Sequence, residues 1–516
     1  MSNDDAKALP DLAAGLALSD IPEGQIVEAR AGDEKILLWR QGDGVRAFEG
    51  SCTHLGAPLA EGLVIDGTIR CPWHHACFSL RSGEALAAPA FAPLRQWPVA
   101  LAGGQLTLAG PPRAPTRTIP KPGDAAPRTI VIVGGGAGGF AAADRLRRDG
   151  YAGSLTVVSD DVDAPYDRTL LTKDYLAGTT GEDGLGISPV TLHDLGVDLR
   201  LGTTVERIER DAKRVVLADG GALPYDRLLL ATGAAPKPFD VPGGDLPHVR
   251  LLRSAADARH LLEALGDAKT VVVVGGSFIA TEAAASLRDR KLEVHLVSPD
   301  PHPLEKVLGR ALSDLVVDTH RDHGFVLHLG RSVSAVRGRK ARLDDGLEID
   351  CDLVLAGLGV TPRTAVAEAA GLAVDDGILV DRQLRTGDAS IYAIGDAARW
   401  PDPRSGRSVR IEHWAVAERQ GQVAAANMLG RGFGFDVVPF FWTKQFDVSI
   451  RYVGHAETPD SIVIDGDVAN RDAAVRYLSG DRVMAVATLG RDRESLSIES
   501  DMEAMLRAGT SAAPPR

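Results

Sequence analysis

Four residues near the start of the chain have the types and spacing to hold metal. Cys52-Thr53-His54 and Cys71-Pro72-Trp73-His74 read as C-x-H followed by C-x-x-H. Two thiolates and two imidazoles in this order suit a 2Fe-2S centre of the Rieske type, with Cys52 and Cys71 on one iron and His54 and His74 on the other. Such a centre passes one electron at a time and breaks no bonds itself. The same four residues could hold zinc, but structural zinc sites usually pair cysteine with cysteine and histidine with histidine. Here each pair is mixed. His75 is not read as a ligand, and Cys77 reads as a small packed residue.

A second chemistry begins at Thr129-Ile-Val-Ile-Val133, an apolar run that enters Gly134-Gly-Gly-Ala-Gly-Gly139 and then FAAADRLRRDG. Leu155-Thr-Val-Val158 follows and leads to Asp160. Strand, G-x-G-x-x-G, helix, strand and acid in this order predict a dinucleotide fold. The glycines let a pyrophosphate approach the helix N-terminus, and the acid accepts from a ribose. Thr270-Val-Val-Val-Val274, Gly275-Gly-Ser-Phe-Ile-Ala280 and Val294-His-Leu-Val297, leading to Asp300, repeat the pattern with Ser277 and Ala280 at the second and third glycine places. Two units predict two dinucleotides. The strands before Thr232-Gly233 and before Gly395-Asp396 return the chain to the first nucleotide.

Positioning these groups takes several domains. The 516 residues exceed one ordinary domain, and 44% hydrophobic with 25% charged residues is a globular composition. A net charge of −13 argues against broad binding to nucleic acid or anionic membranes. No apolar run approaches the roughly 20 residues that span a bilayer. The acidic start MSNDDAKALPDLAAGLALSD lacks a basic n-region, which predicts no secretory signal. Four cysteines, two of them committed to metal, leave no disulfide framework. The expectation is a cytoplasmic monomer or homodimer without nucleic-acid or membrane partners. Proline-rich residues 111–128 read as a linker. The predicted layout, with the cofactor of each nucleotide domain and the character of the last domain implied by the family resemblance that follows, is an all-β Rieske domain (1–110), the linker (111–128), a discontinuous FAD-binding α/β domain (129–250 and 380–432), an NAD-binding α/β domain (251–379) and a small α+β C-terminal reductase domain (433–516).

CTHLGAPL (52–59) and CPWHHACFSLRSGEA (71–85) resemble the Rieske ferredoxin family over about residues 10–110. Ala57 and Trp73 stand where respiratory Rieske proteins carry an extra cysteine pair, which implies the ferredoxin and oxygenase-component branch. From residue 128 to about 505 the chain resembles the flavoprotein ferredoxin-reductase family, which includes apoptosis-inducing factor and the reductases of aromatic dioxygenases and P450 systems. The motifs are APYDRTLLTK (164–173), ATGAAP (231–236), IYAIGDAA (391–398), IEHWAVAERQG (411–421) and PFFWTKQFD (439–447). The whole chain is similar to the apoptosis-inducing-factor-like subgroup that carries an N-terminal Rieske domain. This resemblance implies FAD beside Gly134, Gly136, Gly139, Asp160, Arg168, Lys173, Val205, Thr232, Gly233, Arg253, Gly395, Asp396 and Trp414. It implies NADH, with NADPH possible, beside Gly276, Phe278, Ile279, Asp300 and Gly359. Lys173, Glu282 and Trp414 are the catalytic candidates near the flavin N5. Trp442 either stacks on the flavin or nicotinamide or simply packs.

The implied activity is an NAD(P)H-dependent reductase passing electrons from NADH through FAD to its own cluster and on to a protein acceptor such as an oxygenase or P450. Related disulfide reductases use a C-x-x-C beside the flavin, and none occurs here. The alternative is an NADH-responsive redox sensor or interaction protein of the apoptosis-inducing-factor type. A third reading takes His320, His323 and His328 toward a 2-His-1-carboxylate iron site. Their place inside the second nucleotide unit reads instead as surface histidines.

Overall fold

The computed structural model describes residues 9–115 and 126–511, so most of the proline-rich linker lies outside the described residues. The chain divides into two compact units.

One unit joins the described part of Met1–Pro120 with Ser188–Thr191 and Asp492–Ser500. Its sheets are antiparallel. Ile26–Ala31, Glu34–Gln41 and Gly44–Glu49 form a meander completed by Gln96–Trp97. Leu63–Ile65, Thr68–Arg70, Cys77–Ser79 and Ala85–Ala87 form a second sheet. Alternation along a strand sends successive side chains to opposite faces. Leu37 accordingly joins one core with Phe48, Ile69 and Phe78, while Leu38 joins another with Leu12, Ile21 and Trp97. Cys52 and Cys71 both lie in the first of these cores.

The other unit holds both dinucleotide patterns. β1 (Thr129–Val133), α1 (Ala137–Arg148) and β2 (Ser154–Val158) follow one another as expected. β1 sits between β2 and Arg227–Leu230 in a five-stranded sheet that is parallel throughout and ends in Ile391–Ala393. β3 (Thr270–Val274), α2 (Phe278–Asp289) and β4 (Glu293–Ser298) repeat the plan in a second five-stranded parallel sheet, where β3 lies between β4 and Leu353–Ala356. These strands are rich in valine, isoleucine and leucine because both of their faces are covered. α3 (Trp414–Met428) packs on α1 so closely that a Cβ on Gly421 would lie 2.3 Å from the Gly138 carbonyl oxygen. β5 (Phe440–Gln445) opens an antiparallel five-stranded sheet, and α4 (Asp492–Ser511) ends the described chain.

The three histidines are not all on the surface. His320 is buried, stacked on Phe325 with ring centroids 4.5 Å apart, and burial pushes its pKa down to about 4. It ends the buried row Leu308, Leu312, Val316 of the helix Glu305–Asp322, one residue every four. His323 stacks on Phe446, and His328 bonds to His295. They form packing and hydrogen-bond pairs, not a shared centre.

Candidate functional site

The two loops that carry Cys52, His54, Cys71 and His74 repeat one backbone pattern. The Cys52 amide donates to the Ala57 carbonyl (2.8 Å) and the Gly56 amide donates back to the Cys52 carbonyl (2.9 Å). The Cys71 amide donates to Ala76 (2.8 Å) and the His75 amide donates back to Cys71 (3.2 Å). Each turn closes around its cysteine and leaves the histidine two or three residues later facing its counterpart. His54 Nδ1 and His74 Nδ1 are 3.1 Å apart, on half-buried rings set edge to face. Cys52 and Cys71 are buried, and the Cys52 thiol is held well above its ordinary pKa by its hydrogen bond to Cys71 and by burial. Two paired sulfurs and two paired imidazole nitrogens fit a binuclear iron cluster, one pair to each iron. Among the described residues no group of three or more His, Cys, Asp or Glu is set to hold a single metal ion.

The second site is a cleft within the other unit. The C-terminal ends of the first sheet, α1, the segment 160–173, the start of α2 and the residues Trp414 and Trp442 line it. It brings together Gly134, Gly136, Asp160, Arg168, Lys173, Thr232, Gly233, Arg253, Phe278, Ile279, Glu282, Gly395, Asp396, Trp414 and Trp442. Gly134 has φ +110, and a Cβ there would lie 2.1 Å from the Ala231 oxygen, so the turn at the end of β1 needs glycine. Gly136 caps α1 without a side chain, which leaves the first amides of the helix for an anion. In the second unit Ser277 occupies that place and its hydroxyl accepts from the Ala280 amide.

Arg168 and Arg253 are two of the three arginines that line this cleft. Burial lowers the pKa of Arg253, the neighbouring Arg168 lowers it further, and Asp396 partly restores it through a 2.8 Å ion pair. Arg168 Nε and Arg253 Nε are buried without a protein partner. Adjacent cations beside a glycine-lined helix start fit the pyrophosphate of FAD.

Lys173 Nζ lies 2.7 Å from Glu282 Oε2, which also accepts from the Thr172 hydroxyl at 2.8 Å. Thr443 on β5 donates to the other oxygen, Oε1, at 2.7 Å. Glu282 thus has three donors from two distant segments and is only 4% exposed. Thr172, Thr443 and Arg363, whose Nη1 is 2.6 Å from Asp160 Oδ2, escaped the sequence reading. Only the neighbouring Lys173 and Trp442 hinted at two of them.

Other expected positions stand apart from the cleft wall. A Cβ on Gly139 would lie 1.9 Å from the Gly134 oxygen, so Gly139 serves the turn. Val205 packs on the core of the first sheet. Gly276 presses on Ser298 and Pro303, Asp300 pairs with Lys306 at 3.2 Å, and the Gly359 carbonyl accepts from the Lys237 amide.

Two parallel-sheet nucleotide units, an antiparallel C-terminal sheet and a two-loop iron–sulfur centre define an NAD(P)H-dependent flavoprotein oxidoreductase with a Rieske domain. The chain belongs to the pyridine nucleotide-disulphide oxidoreductase family, whose model matches residues 128–421. The models for the Rieske 2Fe-2S domain and the reductase C-terminal domain match 14–98 and 440–513. Human (Homo sapiens) apoptosis-inducing factor 3 is 30% identical over 499 residues, 93% of this chain and 82% of that protein. Rhodocoxin reductase of Rhodococcus erythropolis is 35% identical over 375 residues, covering 72% of this chain and 88% of that one. The crystal structure of the covalent putidaredoxin reductase–putidaredoxin complex superposes with a TM-score of 0.70 at 32% identity, over 75% of this chain and 100% of that chain. Among the described residues no helix is long and apolar enough to cross a membrane.

Proposed function

We propose that this chain takes electrons from NADH, passes them through FAD to its own Rieske cluster, and delivers them to a protein acceptor such as an oxygenase or P450. When bound, FAD supplies the conversion of a hydride into single electrons, and the cluster carries them one at a time. The observation that carries this reading is Lys173, ion-paired to the buried Glu282 in a wall shared by the first glycine loop and the start of α2.

The residues divide the work. Gly134, Gly136 and the start of α1 receive the pyrophosphate, with Gly139 keeping the turn closed. Arg168 and Arg253 balance its charge, Asp160 accepts from the ribose, and Asp396 faces the ribityl chain beside Thr232, Gly233 and Gly395. Val205 lies toward the adenine. Lys173 sets a fixed cation where negative charge collects as a hydride arrives. Glu282 holds that ammonium and orients the nicotinamide amide, while Phe278, Ile279, Trp414 and Trp442 keep water away. Gly276, Gly359 and Asp300 take the rest of the nicotinamide nucleotide. Asp300, already paired with Lys306, favours a free ribose over a 2′-phosphate, hence NADH. Cys52 and Cys71 hold one iron, and His54 and His74 hold the other at the edge where the electron leaves. We place the protein in the cytoplasm, a reducing compartment that suits its four free cysteines.

Anaerobic NADH should bleach the flavin and then raise a rhombic iron–sulfur EPR signal. His74→Ala should reduce the rate of one-electron transfer to a protein such as cytochrome c to background while flavin bleaching persists. Acceptor reduction that survives this change removes the cluster as the exit. Slow, stoichiometric NADH oxidation without turnover would point to the redox sensor instead.

A further inference from the structure

The two ligand turns differ at one place. Four residues after each cysteine the backbone enters the left-handed region, at Gly56 (φ +76) and at His75 (φ +60). Glycine makes this bend without strain, and a Cβ on Gly56 would meet nothing within 4 Å. The bend itself therefore has no need of an imidazole at position 75. Yet the His75 side chain is fully buried and held at both nitrogens. Its Nδ1 lies 2.8 Å from Glu499 Oε2, and its Nε2 lies 3.3 Å from the Ser495 hydroxyl. Arg70 Nη1 reaches the same carboxylate oxygen at 3.2 Å. Glu499 and Ser495 have no exposed surface, and the segment that carries them, Asp492–Ser500, falls in the same compact unit as the ligand loops.

We propose that Glu499 is a positioning residue of the cluster site. A carboxylate sealed from water requires donors, and it finds them in Arg70, the last residue before Cys71, and in His75, the first after His74. The ligand turn 71–74 is thereby gripped at both ends by one anion. Gripping fixes the orientation of the His74 ring, and the buried charge beside it bears on the potential of the iron that His74 holds. On this view residues 492–500 are a functional part of the iron–sulfur site, although 424 positions separate His75 from Glu499. The proposal rests on the assignment of Cys52, His54, Cys71 and His74 as the cluster ligands.

The test uses the full-length holoprotein. Glu499→Gln keeps the shape and removes the charge. His75→Gly keeps the bend and removes the grip, and His75→Asn provides a further variant that tolerates the left-handed conformation. In each, iron release to an excess of chelator should be about 10-fold to 100-fold faster than in the parent. The EPR g-values and the midpoint potential of the reduced cluster should shift. Flavin content and bleaching by NADH should not change. A parent protein with a normal cluster, and variants with parental release rates, g-values and potential, would overturn this inference alone. A parent protein with no cluster would overturn the ligand assignment beneath it.

Discussion

Cys52, His54, Cys71 and His74 come from two short turns that repeat one hydrogen-bond pattern, whereas the nucleotide cleft is lined by segments scattered from Gly134 to Trp442. The first site is closed by bonds between residues four and five apart. The second is closed by backbones that nearly touch across the fold. The turn at Gly134 abuts Ala231, the turn at Gly275 abuts Gly357 with a hypothetical Cβ 2.3 Å from its oxygen, and α1 abuts α3 at Gly138 and Gly421. The Gly56 turn of the locally closed site has room around it, while the assembled site depends on the absence of side chains at points far apart in sequence. Substitutions that cost little in one site should therefore disable the other.

Gly139→Ala should show the largest effect. The added methyl would lie 1.9 Å from the Gly134 oxygen, well inside contact distance, and backbone on both sides leaves no flexible neighbour to yield. The second nucleotide-binding unit has Ala280 at the equivalent place, and Gly357 lies across from it, where a Cβ would come 3.0 Å from the alanine methyl. The purified variant should carry iron and sulfide at the parental level and lack flavin absorbance. Parental flavin content would mean that the close approach at the first loop does not control the cleft.

The same contrast explains what was legible in the sequence. The convergence of Cys52, His54, Cys71 and His74 could be read directly because spacing within a turn determines which side chains meet. The strands β1 to β4 could be read because burial on both faces writes itself as runs of valine, isoleucine and leucine. The partners of Glu282 could not, since Thr443 lies 161 positions away and meets it only once β5 has packed beside α2. Arg363 reaches Asp160 across 203 positions and Glu499 reaches His75 across 424, with no local pattern to announce either. His320 was legible in principle. Its four-residue spacing from Leu308, Leu312 and Val316 places it on the apolar face of its helix, and an imidazole on that face belongs to the core.

Lys173→Ala tests the assembled site through its chemistry and not its fold. Removing the ammonium deprives developing negative charge of its fixed partner and leaves Glu282 buried with two hydroxyl donors. Stopped-flow bleaching of the flavin by NADH should slow by roughly 100-fold, on the scale of losing one preorganised electrostatic donor. Thermal stability should fall, because the buried Glu282 carboxylate loses its cation, while the iron signal stays close to parental. Bleaching at the parental rate would reduce Lys173 and Glu282 to a structural pair.

The smallest effect should come from Gly56→Ala, which probes the tolerance claimed for the locally closed site. The φ of +76 costs an alanine about 1–2 kcal/mol, partly offset by a loss of about 0.4–1 kcal/mol of unfolded-chain freedom. No steric contact adds to this, since the methyl would point into open space. Melting should fall by a few degrees or less, about what 1 kcal/mol produces in a domain of this size. The cluster should assemble with parental EPR g-values. A variant that loses its iron would show that the bend at Gly56 needs glycine for more than conformation. The likeness of the two turns, on which the comparison with His75 depends, would then fail at the position where they differ.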